Sequence, residues 1–110
     1  MRSYLIDEIS SDDIKKIDTF LKKRAIKSNL EQVFWLEIPD DLLSSDQQYH
    51  VGCQPHVFAI EIGQDWVKLE FFVRTLKKMT CSCLAYCTPQ QRDYIINFAQ
   101  GMIEKLKIAS

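Results

Sequence analysis

HVFAIEIGQDWVKLEFFVR, residues 56–74, is the stretch whose reading decides the fold. Side chains of an extended chain alternate between two faces. Phe58, Ile60 and Ile62 therefore share one face of the first run, and Val67, Leu69, Phe71 and Val73 share one face of the second. Gly63-Gln64-Asp65 lies between them as a hairpin turn, and either two-residue choice of loop sets Phe58 and Ile60 against the Val67/Leu69/Phe71 face. An antiparallel pair with one apolar face needs a second layer to cover it.

Downstream, residues 79–87 are predicted to form the next strand, and Thr88-Pro89-Gln90-Gln91 opens a helix with a capping Thr, Pro at the first helical position and Gln at the third. Its apolar stripe is Ile95, Phe98, Ala99, Met102, Ile103 and Leu106, which suits it to cover one sheet face. Upstream, QVFWLEI (32–38) reads as a strand stopped by Pro39-Asp40-Asp41. The connection over 40–55 is long, and its run 45–51, closed by Gly52, suggests a short helix. Nearer the start, Ser10 can cap a helix with Asp13 three residues on and Ile9 stapled to Ile14. Ile14, Ile17, Leu21 and Ala25 then recur at helical spacing, with an end expected near Ser28-Asn29. The prediction is one two-layer α+β domain over 1–110, an antiparallel sheet of about four strands with an N-terminal and a C-terminal helix.

The 110 residues are 46% hydrophobic, ample for one core, and hold no repeat or linker that would mark a second domain. With Lys+Arg at 14 against Asp+Glu at 15, the chain has no overall field to draw in nucleic acid or an anionic membrane. Lys15, Lys16, Lys22, Lys23, Arg24 and Lys27 line one side of the first helix without interleaved aromatics, which reads as a solvated face. No apolar run approaches the roughly 20 residues of a membrane span, and the acidic opening is unlike a secretory or mitochondrial leader, so a cytoplasmic location is expected. In that reducing compartment Cys53, Cys81, Cys83 and Cys87 are expected as free thiols.

Motifs for catalysis are absent. Gly52, Gly63 and Gly101 are scattered, which excludes a P-loop or dinucleotide fingerprint, and no Gly-x-Ser-x-Gly or His-Glu-x-x-His occurs. The one suggestive cluster is His50-x2-Cys53-x2-His56, followed by Cys81-x-Cys83 and Cys87. Thiolates and imidazoles are zinc ligands, but this spacing is unlike a standard finger or ribbon. If Cys81, Cys83 and Cys87 lie on a strand facing Phe71 and Val73, a strand separates them from His56 by roughly 9.6 Å, and they read instead as small core hydrophobes. A thiolate at Cys53 activated by His50 or His56 is the catalytic variant of the same cluster.

The second sheet face carries Val57, Ala59, Trp66, Phe72, Leu84 and Tyr86 among Glu61, Lys68, Glu70, Arg74, Thr80 and Ser82. Either the first helix packs over it or it meets another protein. The reading from sequence is a non-enzymatic interaction or self-association module without a cofactor. Its anchors are Trp66, Phe72, Leu84 and Tyr86, with Lys68, Glu70 and Arg74 setting register to a homodimer mate or protein partner. The alternative is a zinc-binding or thiol-dependent protein using His50, Cys53, His56, Cys81 and Cys83.

Overall fold

The computed structural model describes residues 2–77 and 81–108. The central hairpin forms as its alternation requires. Strands β4 (His56–Ile62) and β5 (Val67–Glu70) pair antiparallel with Ile60 opposite Leu69 and Ile62 opposite Val67. The turn between them is held by the Gly63 N–H donating to the Trp66 carbonyl at 2.8 Å. The Trp66 ring lies on Gly63 so closely that a β-carbon there would come within 2.0 Å of it.

The rest of the 66–74 run differs from expectation. It is not one strand but two, β5 and β6 (Phe72–Thr75), interrupted at the buried Phe71. Between the pairs Ile60↔Leu69 and Val57↔Arg74, β4 advances three residues while its partner advances five. An insertion of two residues preserves the period of two, so Val67, Leu69, Phe71, Val73 and Thr75 are all buried while Lys68, Glu70, Phe72 and Arg74 are only partly so.

QVFWLEI forms the expected strand, β3 (Val33–Glu37), and its place, which the sequence left open between the two edges of the meander, is beside β4. The count rises from about four to seven because the 66–74 run divides into β5 and β6 and two strands are added, β1 (Ser3–Ile6) beside β5 and β2 (Ile26–Lys27) beside β3; the strand expected over 79–87 is reduced, among the described residues, to β7 (Ala85–Tyr86) beside β6. The main path runs β1-β5-β4-β3-β2. β1 and β2 were missed because four residues and two residues are too short to show a period; β2 also shortens the first helix, which ends at Arg24 rather than near Ser28.

Helix α1 (Ser11–Arg24) starts where Ser10 accepts from the Asp13 N–H. Helix α3 (Pro89–Lys105) starts with a complete capping box between Thr88 and Gln91. It ends on a left-handed residue, Lys107 (φ 56°), with Ile108 N–H donating to Ile103 O and burying its side chain, a Schellman closure. Both long helices cover the same sheet face. Phe98 of α3 packs edge-on against Phe58 at 6.2 Å and meets Phe20 of α1 at 6.4 Å. Ile17, Leu21, Ile95, Ala99 and Met102 complete a core with Phe34, Leu36, Ile60 and Leu69. The alternative in which α1 covers the second face is thereby excluded.

Among the described residues no helix is long and apolar enough to cross a membrane. The lysines of α1 are surface groups. Lys16 pairs with Asp13 at 3.2 Å and Lys22 with Asp18 at 2.9 Å, while Arg24 lies over the Phe20 and Phe98 rings.

Candidate metal centre

Beyond the open end of β4, two loops meet. The first is built on a short helix, α2 (Ser45–Tyr49), whose start is fixed by a capping box between Ser44 and Gln47. The helix stops at His50, and a 3-10 turn, Val51–Cys53, follows with Cys53 N–H donating to His50 O at 3.0 Å. Residues three apart eclipse in such a turn, which brings the His50 and Cys53 side chains to one side. Thr75 at the end of β6 donates its hydroxyl to the Cys53 carbonyl and fastens this loop to the sheet.

The second loop is a turn over 81–84, closed by Leu84 N–H to Cys81 O at 3.2 Å. Here the sequence reading needs its main correction. Cys81 and Cys83 are not on a strand; only Ala85 and Tyr86 pair with β6, with Ala85 opposite Val73. The expected positions of Lys78, Met79 and Thr80 lie outside the described residues. The expected parity holds at Cys87, whose N–H donates to Phe71 O and whose side chain packs on the core. Cys83 is buried as expected, 1% exposed, and so is Cys53 at 3%, but both lie outside the main apolar cluster.

They are gathered instead around Cys81. Cys53 Sγ donates to Cys81 Sγ at 3.3 Å and Cys83 Sγ donates to it at 3.0 Å. Ligand atoms of His50, Cys81 and Cys83 all lie within 4.8 Å of one another. The strand expected to separate His56 from the cysteines, β6, does lie between β4 and β7, but His50 and Cys53 reach the cysteines from the loop beyond the end of β4. Four of the five residues singled out as ligands therefore converge: His50, Cys53, Cys81 and Cys83. His56 does not join them. It is buried on β4 opposite Thr75, and neither ring nitrogen has a hydrogen-bond partner among the described residues. Burial, and secondarily the nearby His50, lowers its pKa and keeps it neutral, partly offset by Asp40.

The electrostatics suit a cation. Two S–H donors stabilise an ionised Cys81, chiefly that of Cys83, and hold its pKa down to about 7. Burial pushes Cys83 up to about 12, so without a counter-ion its thiol stays protonated. His50 Nδ1 lies 2.7 Å from the Asp46 carbonyl, which can only accept, so this nitrogen carries the proton and Nε2 is the ring nitrogen suited to ligate a metal. A tetrahedral zinc with Zn–S of about 2.3 Å separates its sulfurs by about 3.8 Å, so the 3.3 Å and 3.0 Å contacts of Cys81 with Cys53 and Cys83 need each lengthen by less than about 1 Å to take one. The catalytic variant with His56 as base is less well served, since neither of its ring nitrogens has a hydrogen-bond partner among the described residues.

A feature not found from sequence supports this end from below. Gln47 and Gln91, 1% and 0% exposed, are the third residues of the α2 and α3 capping boxes. Gln91 Nε2 donates to Gln47 Oε1 and to Leu42 O, both at 2.9 Å, and Gln47 Nε2 donates to Cys83 O at 3.2 Å. A buried polar relay thus runs from the start of α3 to the thiol turn. The repeated pattern Ser44-x-x-Gln47 and Thr88-x-x-Gln91 was the signal available for it.

The residues proposed as interaction anchors lie on the face without helices. Tyr86 is 55% exposed and edge-on to Phe72 at 5.1 Å, with Arg2 stacked over its ring and bonded to its hydroxyl at 2.6 Å. Arg74 binds Glu70 at 2.9 Å and covers Phe72, and Lys68 pairs with Glu61 at 3.5 Å. Leu84 is partly buried, and Trp66 is engaged with its own hairpin turn. No protein family, no curated protein and no solved structure matches this chain.

Proposed function

We propose that this is a zinc-binding domain in which His50, Cys53, Cys81 and Cys83 hold one structural Zn²⁺. The observation that carries the reading is the convergence of three sulfurs and an imidazole, 28 residues apart in the chain at the Cys53–Cys81 contact, outside the apolar core. Four protein donors would fill a tetrahedron and leave no open position for substrate, so the metal's work is to join the two loops. Cobalt substitution tests it. One equivalent of Co²⁺ should give the d–d bands of a tetrahedral ion and a thiolate charge-transfer band, and Cys83→Ser should weaken the latter. An octahedral spectrum unaffected by Cys83→Ser would refute the assignment.

A second reading, that the chain also self-associates through its open sheet face, is favoured by the placement of both long helices on the opposite side. Exposed Tyr86, partly exposed Phe72 and charges of both signs offer a surface that two copies could share about a twofold axis. Tyr86→Asp should leave the fold intact and abolish a dimer seen by sedimentation; an unchanged monomer in both proteins would end this reading.

A further inference from the structure

The free edge of β1 offers a site independent of the metal. Arg2 O accepts from Phe71 N–H, and Tyr4 and Ile6 stand opposite Leu69 and Val67. Antiparallel pairing alternates the direction of the backbone groups, so those of Arg2, Tyr4 and Ile6 point into the sheet while those of Ser3 and Leu5 point outward. Among the described residues no strand pairs with that outer side. The edge is not blunted by Pro or Lys, two common devices against pairing with a further strand.

A cleft flanks this edge on each face of the sheet. On the helix side about 520 Å³ is lined by Tyr4, Ile6, Asp7, Gln100, Ile103 and Glu104. On the other side about 470 Å³ is lined by Leu5, Asp7, Glu8, Asp65, Trp66 and Lys68. Leu5 is 54% exposed there. A strand laid along β1 would send alternate side chains into these two clefts, where apolar floors of Tyr4, Ile6 and Ile103 or Leu5 and Trp66 lie beside carboxylates. The one cation present, Lys68, is already paired with Glu61.

The geometry points to β1 as a docking edge for an extended peptide of another protein that alternates apolar and basic residues. A second copy adding through its own β1 is the poorer fit, because the carboxylates Asp7, Glu8, Asp65 and Glu104 around the two clefts call for basic side chains and β1, Ser3–Ile6, carries none.

The test uses the full chain and a capped six-residue peptide of alternating valine and lysine, followed by NMR and amide exchange. Saturable binding should slow exchange at Ser3 and Leu5 and shift Tyr4, Ile6 and Ile103. Replacing the lysines by glutamate should weaken it about tenfold or more. Leu5→Pro removes an outward N–H without touching the β5 pairing, and should abolish binding at unchanged thermal stability. If Leu5→Pro unfolds the chain, the valine–lysine peptide with its outward-bonding amides N-methylated takes its place and should fail to bind. No saturable binding, equal binding of the glutamate peptide, protection only at Phe72 and Tyr86, or protection that instead follows dimerisation would each overturn the proposal.

Discussion

The two ends of β4 are closed in different ways. Toward Ile62 the strand sits in a layer where Phe34, Phe58, Ile60, Leu69, Ile17 and Ile95 exclude water together. Toward His56 the buried groups are Cys53, Cys83, Gln47, His56 and Thr75, and the chain above them is turns and one short helix. The first end gains its stability from apolar area, at roughly 25 cal/mol per Å² removed from water. The second buries polar groups, which cost free energy unless each finds a partner. On the proposed zinc reading, local order at that end depends on the glutamine relay and on a cation for the thiolates, whereas the layered end needs neither.

Damage to the layered end should have the largest effect. Phe58→Ala opens a cavity beneath Phe98 and should cost about 3–5 kcal/mol in urea denaturation, with or without a chelator. Chelation of the wild type should do the reverse: it should leave exchange protection in β4, β5 and α3 while releasing the amides of 45–53 and 81–84, as followed by hydrogen exchange. Protection lost uniformly would mean that the two ends are one cooperative unit.

The same contrast explains what could be read from the sequence. Period-two runs fixed on Phe58, Ile60 and Leu69, and caps at Ser10, Thr88 and Pro89, encode structure in consecutive residues, and those elements stand where they were expected. The thiol turn has no period. Cys81 and Cys83 alternate as strand residues do, and only the hydrogen bond from Leu84 to Cys81 shows that the chain bends there instead. The five candidate ligands were visible as residue types, but the convergence of four of them depends on contacts between segments 28 residues apart, as at Cys53 and Cys81. β1 and β2 were hidden for another reason: strands so short are defined by their neighbours rather than by their own pattern.

Between the two ends lies the Gln47–Gln91 contact, and cutting it sharpens the comparison. Gln91→Leu leaves Leu42 O and Gln47 Oε1 short of a donor, and should cost about 1–3 kcal/mol. It should also weaken metal binding about tenfold, measured by competition with a chromogenic chelator, since Gln47 then holds Cys83 less firmly. Loss of stability with unaltered metal affinity would separate the relay from the site.

The smallest effect concerns Cys87, the thiol that does belong to the core. Its pKa is pushed up to about 11, mainly by burial, with Arg92 opposing and Glu70 reinforcing the shift. A thiol whose folded pKa lies above its unfolded value of about 9 favours the native state fully below pH 9, and this contribution is lost as pH rises through 11. Cys87→Val should flatten that alkaline decline in stability, read from urea midpoints over the same pH range.

Native mass spectrometry of the intact chain, purified under reducing conditions without added metal, bears most directly on the proposed zinc site. The expected spectrum shows one zinc per chain, absent from Cys81→Ser or reduced to a minor species. A metal-free mass after purification and after addition of zinc, with all four thiols alkylated at the rate of an unperturbed cysteine, would contradict it.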